Sequence, residues 1–85
     1  MTPYEEAMQL IKQGPDTGSG EALAKLILSL YNGRVYRYSF AECVGNLDSK
    51  NTDLALRMVT RYCKWGEDHG LRQVAGEIRD MGLGL

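Results

Sequence analysis

The chain has 85 residues, 44 % of them hydrophobic and 25 % charged. That suits one modest globular core and excludes two independent ones. Ten Lys and Arg against eleven Asp and Glu leave a net charge of −1, so no global field draws the chain to nucleic acid or a membrane.

In chain order, Thr2-Pro3-Tyr4-Glu5 has the form of a helix start. Thr2 is the N-cap, Pro3 holds the first helical position and Glu5 completes a capping box. Tyr4, Ala7, Met8 and Ile11 recur at helical spacing, and Gly14-Pro15 stops the helix, with glycine expected in left-handed geometry. Asp16 to Gly20 reads as a polar connection. The next helix is strongly apolar and central: Leu23, Leu26, Ile27 and Leu30 form its main stripe, Ala22, Ala24, Leu28 and Tyr31 widen it, and Asn32-Gly33 closes it.

Arg34-Val35-Tyr36-Arg37-Tyr38 alternates like a strand, but no second strand is available to pair with it. An extended connection with inward aromatics is expected instead. Ser39-Phe40-Ala41-Glu42 is a second capping box, opening a short helix that closes near Gly45-Asn46. Asp48 or Ser49 caps a fourth helix running to about Trp65. Its predicted core face is Leu54 or Ala55, then Met58, Val59, Tyr62 and Cys63. Gly66 to Gly70 reads as a loop, and Leu71, Val74, Ala75, Ile78 and Met81 form the stripe of a last helix ended by Gly82. The predicted fold is all-α, a single domain over residues 1–85: a compact bundle of four main helices plus one short helical turn.

Several motifs could carry chemistry. Gly18-Ser19-Gly20 before a helix could cradle an anion, but Glu21 follows where a phosphate loop needs lysine. His69 is the sole imidazole; with Glu67 and Asp68 beside it, a weak metal site or general base is conceivable, against a solvated loop residue. Cys43 and Cys63 lie 20 residues apart in apolar surroundings, without zinc-ligand spacing, and read as two reduced, buried thiols. Residues 40–62 have the Ala41 and Gly45 spacing of a helix-turn-helix, but polar Asn51 stands where a branched core residue is needed. Met81 to Leu85 is apolar and could dock on the core, engage a partner or fray. These features give no catalytic residue, metal ligand or cofactor.

Charge is unevenly spread. Residues 34–64 carry six bases (Arg34, Arg37, Lys50, Arg57, Arg61, Lys64) and three acids (Glu42, Asp48, Asp53), a balance of +3, while 1–33 and 65–85 are each −2. Arg57, Arg61 and Lys64 share one helix face, and Arg34, Tyr36, Arg37 and Tyr38 could extend it. The plainer alternative is the solvated side of an amphipathic helix.

Asp16-Thr17-Gly18, an apolar helix ending Leu28-Ser29-Leu30-Tyr31-Asn32, the aromatic turn Tyr38-Ser39-Phe40, and Leu47-Asp48 before the next helix together resemble a family of short bacterial proteins. That family is classed only as a domain of unknown function and is carried on chromosomes and mobile elements. The resemblance spans roughly residues 5–65. Ser19 replaces an expected glutamine, and Leu30-Tyr31 replaces a tryptophan pair. It implies a helical fold and a bacterial or phage origin, and it carries no catalytic residues.

The sequence thus predicts a non-enzymatic interaction module. Arg37, Arg57, Arg61 and Lys64 are its contact cations, with Tyr36 and Trp65 as apolar anchors. The expected partner is an acidic protein surface or a second copy of the chain. The alternative is a nucleic-acid-binding or regulatory protein using the same basic and aromatic patch. With no apolar run of the ~18 residues needed to span a bilayer and no basic, apolar leader in Met-Thr-Pro-Tyr-Glu-Glu, no membrane is expected and the setting is cytoplasmic.

Overall fold

The structure is a computed structural model describing residues 1–83 and 85. It is an all-α bundle of five helices: α1 (Pro3–Gln13), α2 (Gly18–Tyr31), α3 (Phe40–Val44), α4 (Ser49–Trp65) and α5 (His69–Met81). Among the described residues there is no strand, and no helix is long and apolar enough to cross a membrane.

Local chemistry sets the helix starts. Thr2 Oγ1 accepts the Glu5 N–H at 3.2 Å while Glu5 Oε1 accepts the Thr2 N–H at 2.8 Å. Ser39 and Glu42 repeat this exchange at 3.1 and 2.7 Å. Asp48 rather than Ser49 caps α4, accepting the Asn51 N–H at 2.8 Å. Each exchange gives a partner to backbone donors that a helix start would otherwise leave free.

Two boundaries differ from the sequence reading. Thr17 is the N-cap of α2, so Gly18-Ser19-Gly20 is already its first turn and not a loose connection. Asp68 caps α5 by accepting the Leu71 N–H at 2.9 Å, which draws His69 and Gly70 out of the expected loop into the helix.

The corner between α1 and α2 is tight. Thr17 Oγ1 donates to the Gly14 carbonyl at 2.7 Å and accepts the Gly20 N–H at 3.0 Å. Gly14 does not take the left-handed geometry expected of it: its φ is −152°. Glycine is needed there for space, because a Cβ would sit 2.7 Å from Thr17 Cγ2. At Gly20 a Cβ would overlap the Gly14 carbonyl oxygen and lie 3.1 Å from its carbon. The left-handed helix stop belongs to Gly82, at φ 64°.

The core follows the stripes. Tyr4, Ala7, Met8 and Ile11 of α1 meet Leu23, Ala24, Leu26, Ile27 and Leu28 of α2. Leu54, Ala55 and Met58 of α4 and Leu71, Val74, Ala75 and Ile78 of α5 close over them. Leu30 and Tyr31 are only half-buried at the end of α2. α3, α4 and α5 each pack on α1 or α2 and touch one another little. α4 runs antiparallel to α1: the Tyr4 hydroxyl donates to the Met58 carbonyl at 3.5 Å, and Glu6 lies against Arg57.

The segment after α2 is a turn leading into an extended connection. The Asn32 carbonyl accepts the Tyr36 N–H at 2.9 Å and its side-chain oxygen accepts the Arg34 N–H at 3.2 Å. Tyr36 and Tyr38 are half-buried against the core, as the inward-aromatic reading expects. Leu83 and Leu85 also pack on the core; Gly84 between them lies outside the described residues.

Gly20→Ala should destabilise the protein by about 1–3 kcal/mol, because the methyl has only backbone to displace. Gly76→Ala, in the interior of α5 with nothing within 4 Å of the new Cβ, should stabilise it by about 0.5–1 kcal/mol. Urea midpoints for the two variants should therefore move in opposite directions.

Candidate interaction surface

The predicted cations divide by their partners. Arg57 Nη1 bonds Glu6 Oε2 at 2.7 Å, joining α4 to α1, and its Nε bonds Asp53 at 3.1 Å. Arg61 Nε bonds Asp68 Oδ2 at 2.9 Å, joining α4 to the cap of α5. Its guanidinium also lies 4.9 Å from the centre of the Trp65 ring. Both arginines, expected as free contact residues, are engaged within the fold. Glu6 and Asp68 come from the acidic flanks of the chain, while Asp53 is an i−4 neighbour of Arg57 on α4 itself.

The expected single flank is also divided in space. Arg61 and Trp65 lie at the start of α5, where Asp68 sits. Tyr36 lies at the other end, sharing a hollow with Ile78 and Arg79. Asp68 and Arg79 are about 17 Å apart along the helix axis. The six predicted contact residues therefore fall into separate groups: Arg57 on the α1 side, Arg61, Lys64 and Trp65 at the end of α4, and Tyr36 with Arg37 beyond α2.

Among the described residues, Arg34, Arg37, Lys50, Lys64 and Arg79 make no ion pair. Three of them surround Tyr36. Arg34 and Arg37 flank it on the connection after α2, with the Arg37 Nε donating to the Arg34 carbonyl at 3.1 Å. Arg79 rims the same hollow of about 260 Å³, whose apolar lining includes Leu28, Ile78 and Leu83. Val35 is 65 % exposed beside them. Arg79 was hidden from a charge count because it lies in the acidic last third of the chain. Lys64, at the far end of the molecule, lies 5.8 Å from the exposed Trp65 ring.

A second concavity of about 440 Å³ runs between α1 and α5, with Met8 and Val74 in its lining and Gln9, His69 and Gln73 on its polar side. Its charges are engaged already: Lys12 bonds Glu77 at 3.5 Å, Arg61 bonds Asp68, and Glu5 accepts the Thr2 N–H. Among the described residues no group of three or more His, Cys, Asp or Glu could hold a metal.

The cysteines differ from each other. Cys43 is buried on α3, and burial followed by the Glu42 carboxylate pushes its thiol pKa up. Cys63 is exposed, contrary to the expectation of two buried thiols. The apolar arc of α4 is wider than the core it faces, so Cys63 is left on the outer side.

Partial burial pushes the Asp68 carboxyl up, but the Leu71 N–H and the Arg61 guanidinium outweigh it and leave the pKa below its ordinary 3.8. A depressed folded-state pKa contributes stability above the ordinary value, and that contribution is lost as pH falls through the depressed one. Asp68→Ala should cost about 0.5–2 kcal/mol near neutrality from the lost cap. Asp68→Asn, which keeps an acceptor for Leu71, should cost less. In urea titrations the gap between wild type and either variant should narrow as pH drops below 3.8.

No family model, curated protein or solved structure matches this chain, which leaves the chemistry of these surfaces as the guide to a partner.

Proposed function

We propose that this protein is a non-enzymatic helical interaction module that docks an acidic protein segment on the arginine edge beyond α2. Arg34, Arg37 and Arg79 supply the charge, Tyr36 the anchor, and Val35 the adjoining apolar contact. The observation that carries this reading is the division of the arginines. Among the described residues, those of α4 that face α1 and α5 have carboxylate partners, and those around Tyr36 have none.

The chemistry suits carboxylates. A guanidinium offers a planar fork of donors that matches a carboxylate in two parallel hydrogen bonds, and it keeps its charge at any physiological pH. Tyr36 is held on the core by packing, so little side-chain entropy is lost when a partner covers it. Arginine and tyrosine are also the residue types that dominate binding hot spots. Lys64 and Trp65 belong to another part of the surface and are secondary in this reading. A bacterial or phage setting is part of the same proposal, on the resemblance of residues 5–65.

Fluorescence anisotropy with a labelled Asp/Glu-rich peptide tests the edge. Binding should weaken as salt rises, and the double variant Arg34→Glu/Arg37→Glu should lose at least about tenfold in affinity, roughly 1.4 kcal/mol. Lys50→Glu, an unpaired cation on α4, should leave it unchanged. Equal binding by the double variant would remove the edge from the mechanism. Tighter, salt-sensitive binding of a single-stranded oligonucleotide than of the peptide would transfer the surface to the nucleic-acid alternative.

A further inference from the structure

α4 is the longest helix, at 17 residues, yet only Leu54, Ala55 and Met58 of it are buried. Its charges keep to one side. At about 100° per residue, Asp53, Lys64, Arg57 and Lys50 fall within an arc of roughly 60°. Between the core face and those charges, about 120° round the helix from each, run Thr52, Leu56, Val59 and Cys63, spaced 4, 3 and 4 residues apart. None is charged. Leu56 is 52 % exposed, Cys63 is exposed, and Thr52 and Val59 are half-buried. This is the spacing of a heptad seam, which keeps one face of a helix turned towards a partner helix. Among the described residues neither α3 nor α5 covers it, since both pack chiefly on the α1–α2 pair.

We infer that this seam joins two copies of the chain through an antiparallel pairing of their α4 helices about a two-fold axis. The seam is complementary to its own reverse. The two-fold sets Thr52 opposite the second copy's Cys63 and Leu56 opposite the second copy's Val59, so every seam position meets a side chain of compatible size and polarity. Charge selects the direction. Asp53 and Lys64 lie on the same shoulder of α4 near opposite ends, so antiparallel packing brings Asp53 of each copy towards Lys64 of the other. A parallel two-fold would put the two charged shoulders on opposite sides of the seam, so that neither Asp53 nor Lys64 would meet a charge of the other copy. Among the described residues Lys64 has no carboxylate partner, and Asp53 can be shared because its Arg57 is also held by Glu6 at 2.7 Å. The seam and the arginine edge lie on different elements, so self-association does not depend on the edge being functional.

Light scattering and sedimentation of the full chain at high micromolar concentration test the pairing. The wild type should be a dimer, and Leu56→Glu a monomer with unchanged helical circular dichroism. A short bismaleimide tests the register independently. Thr52→Cys should be cross-linked to the second copy's Cys63. The wild type should not cross-link, because its two Cys63 residues would lie about 16 Å apart along the seam. A monomeric wild type, a dimer that survives Leu56→Glu, or efficient Cys63-to-Cys63 cross-linking would each overturn the antiparallel seam.

Discussion

The corner at Gly14, Thr17 and Gly20 is the constraint on which the remaining architecture depends. One hydroxyl closes it from both sides, donating to the carbonyl of Gly14 just after α1 and accepting from the first turn of α2. Two glycines leave room for it: a Cβ at Gly14 would meet the Thr17 side chain, and one at Gly20 would overlap the Gly14 carbonyl. The helix pair so formed is the surface against which everything else is laid. α3 packs on α2, and α4 and α5 each straddle α1 and α2. A loss at this corner would therefore be felt in every interface, whereas a loss at the contacts of α3 would stay local.

Once α1 is fixed, charge sets the register of its neighbours more than it adds to stability. Exposed ion pairs contribute little net free energy, but they penalise the wrong alignment. Glu6 against Arg57 and Tyr4 against Met58 define one antiparallel register for α4 on α1, and Lys12 against Glu77 ties α1 to α5. Two of the six bases of the middle segment, Arg57 and Arg61, find carboxylates in the acidic ends of the chain. What reaches the surface is the remainder that found no partner, and that remainder, not the total, has interaction potential.

The local part of this design was legible in the sequence. Capping boxes at Thr2 and Ser39, the stripe of α1 and the stripe of α5 follow from side chains within four residues of one another, so reading along the chain is enough to find them. Most of the rest depends on placement over long range. Arg57 has one partner within reach of a sequence reading, Asp53 four residues before it, and a second, Glu6, 51 positions away on a helix whose orientation the sequence does not give. Arg79 was overlooked because its cluster forms only when the end of α5 meets the turn after α2. Cys63 was assigned to the core because periodicity gives the width of an apolar arc but not how much of it the rest of the chain can cover. Asp68 could have been identified as a cap, since it stands three residues before the first residue of the Leu71 stripe; the neighbouring glycines favoured a loop instead.

The excess width of the α4 arc connects the two surfaces. A chain of this length buries a modest share of its surface, so a helix with more apolar surface than α1 and α2 can cover gains most from a second copy. Pairing through α4 leaves the turn after α2 outside the seam, and a dimer would then carry two arginine edges fixed relative to each other. On the proposed reading, an edge of three arginines and a tyrosine would make a weak individual contact with an acidic segment. Two such edges on one rigid body convert the second contact into an intramolecular event, where effective concentration rather than intrinsic affinity sets occupancy. If both proposals hold, a small, nearly neutral protein would in this way bind an acidic repeat or an acidic dimer tightly without the high net charge that would make it bind every polyanion.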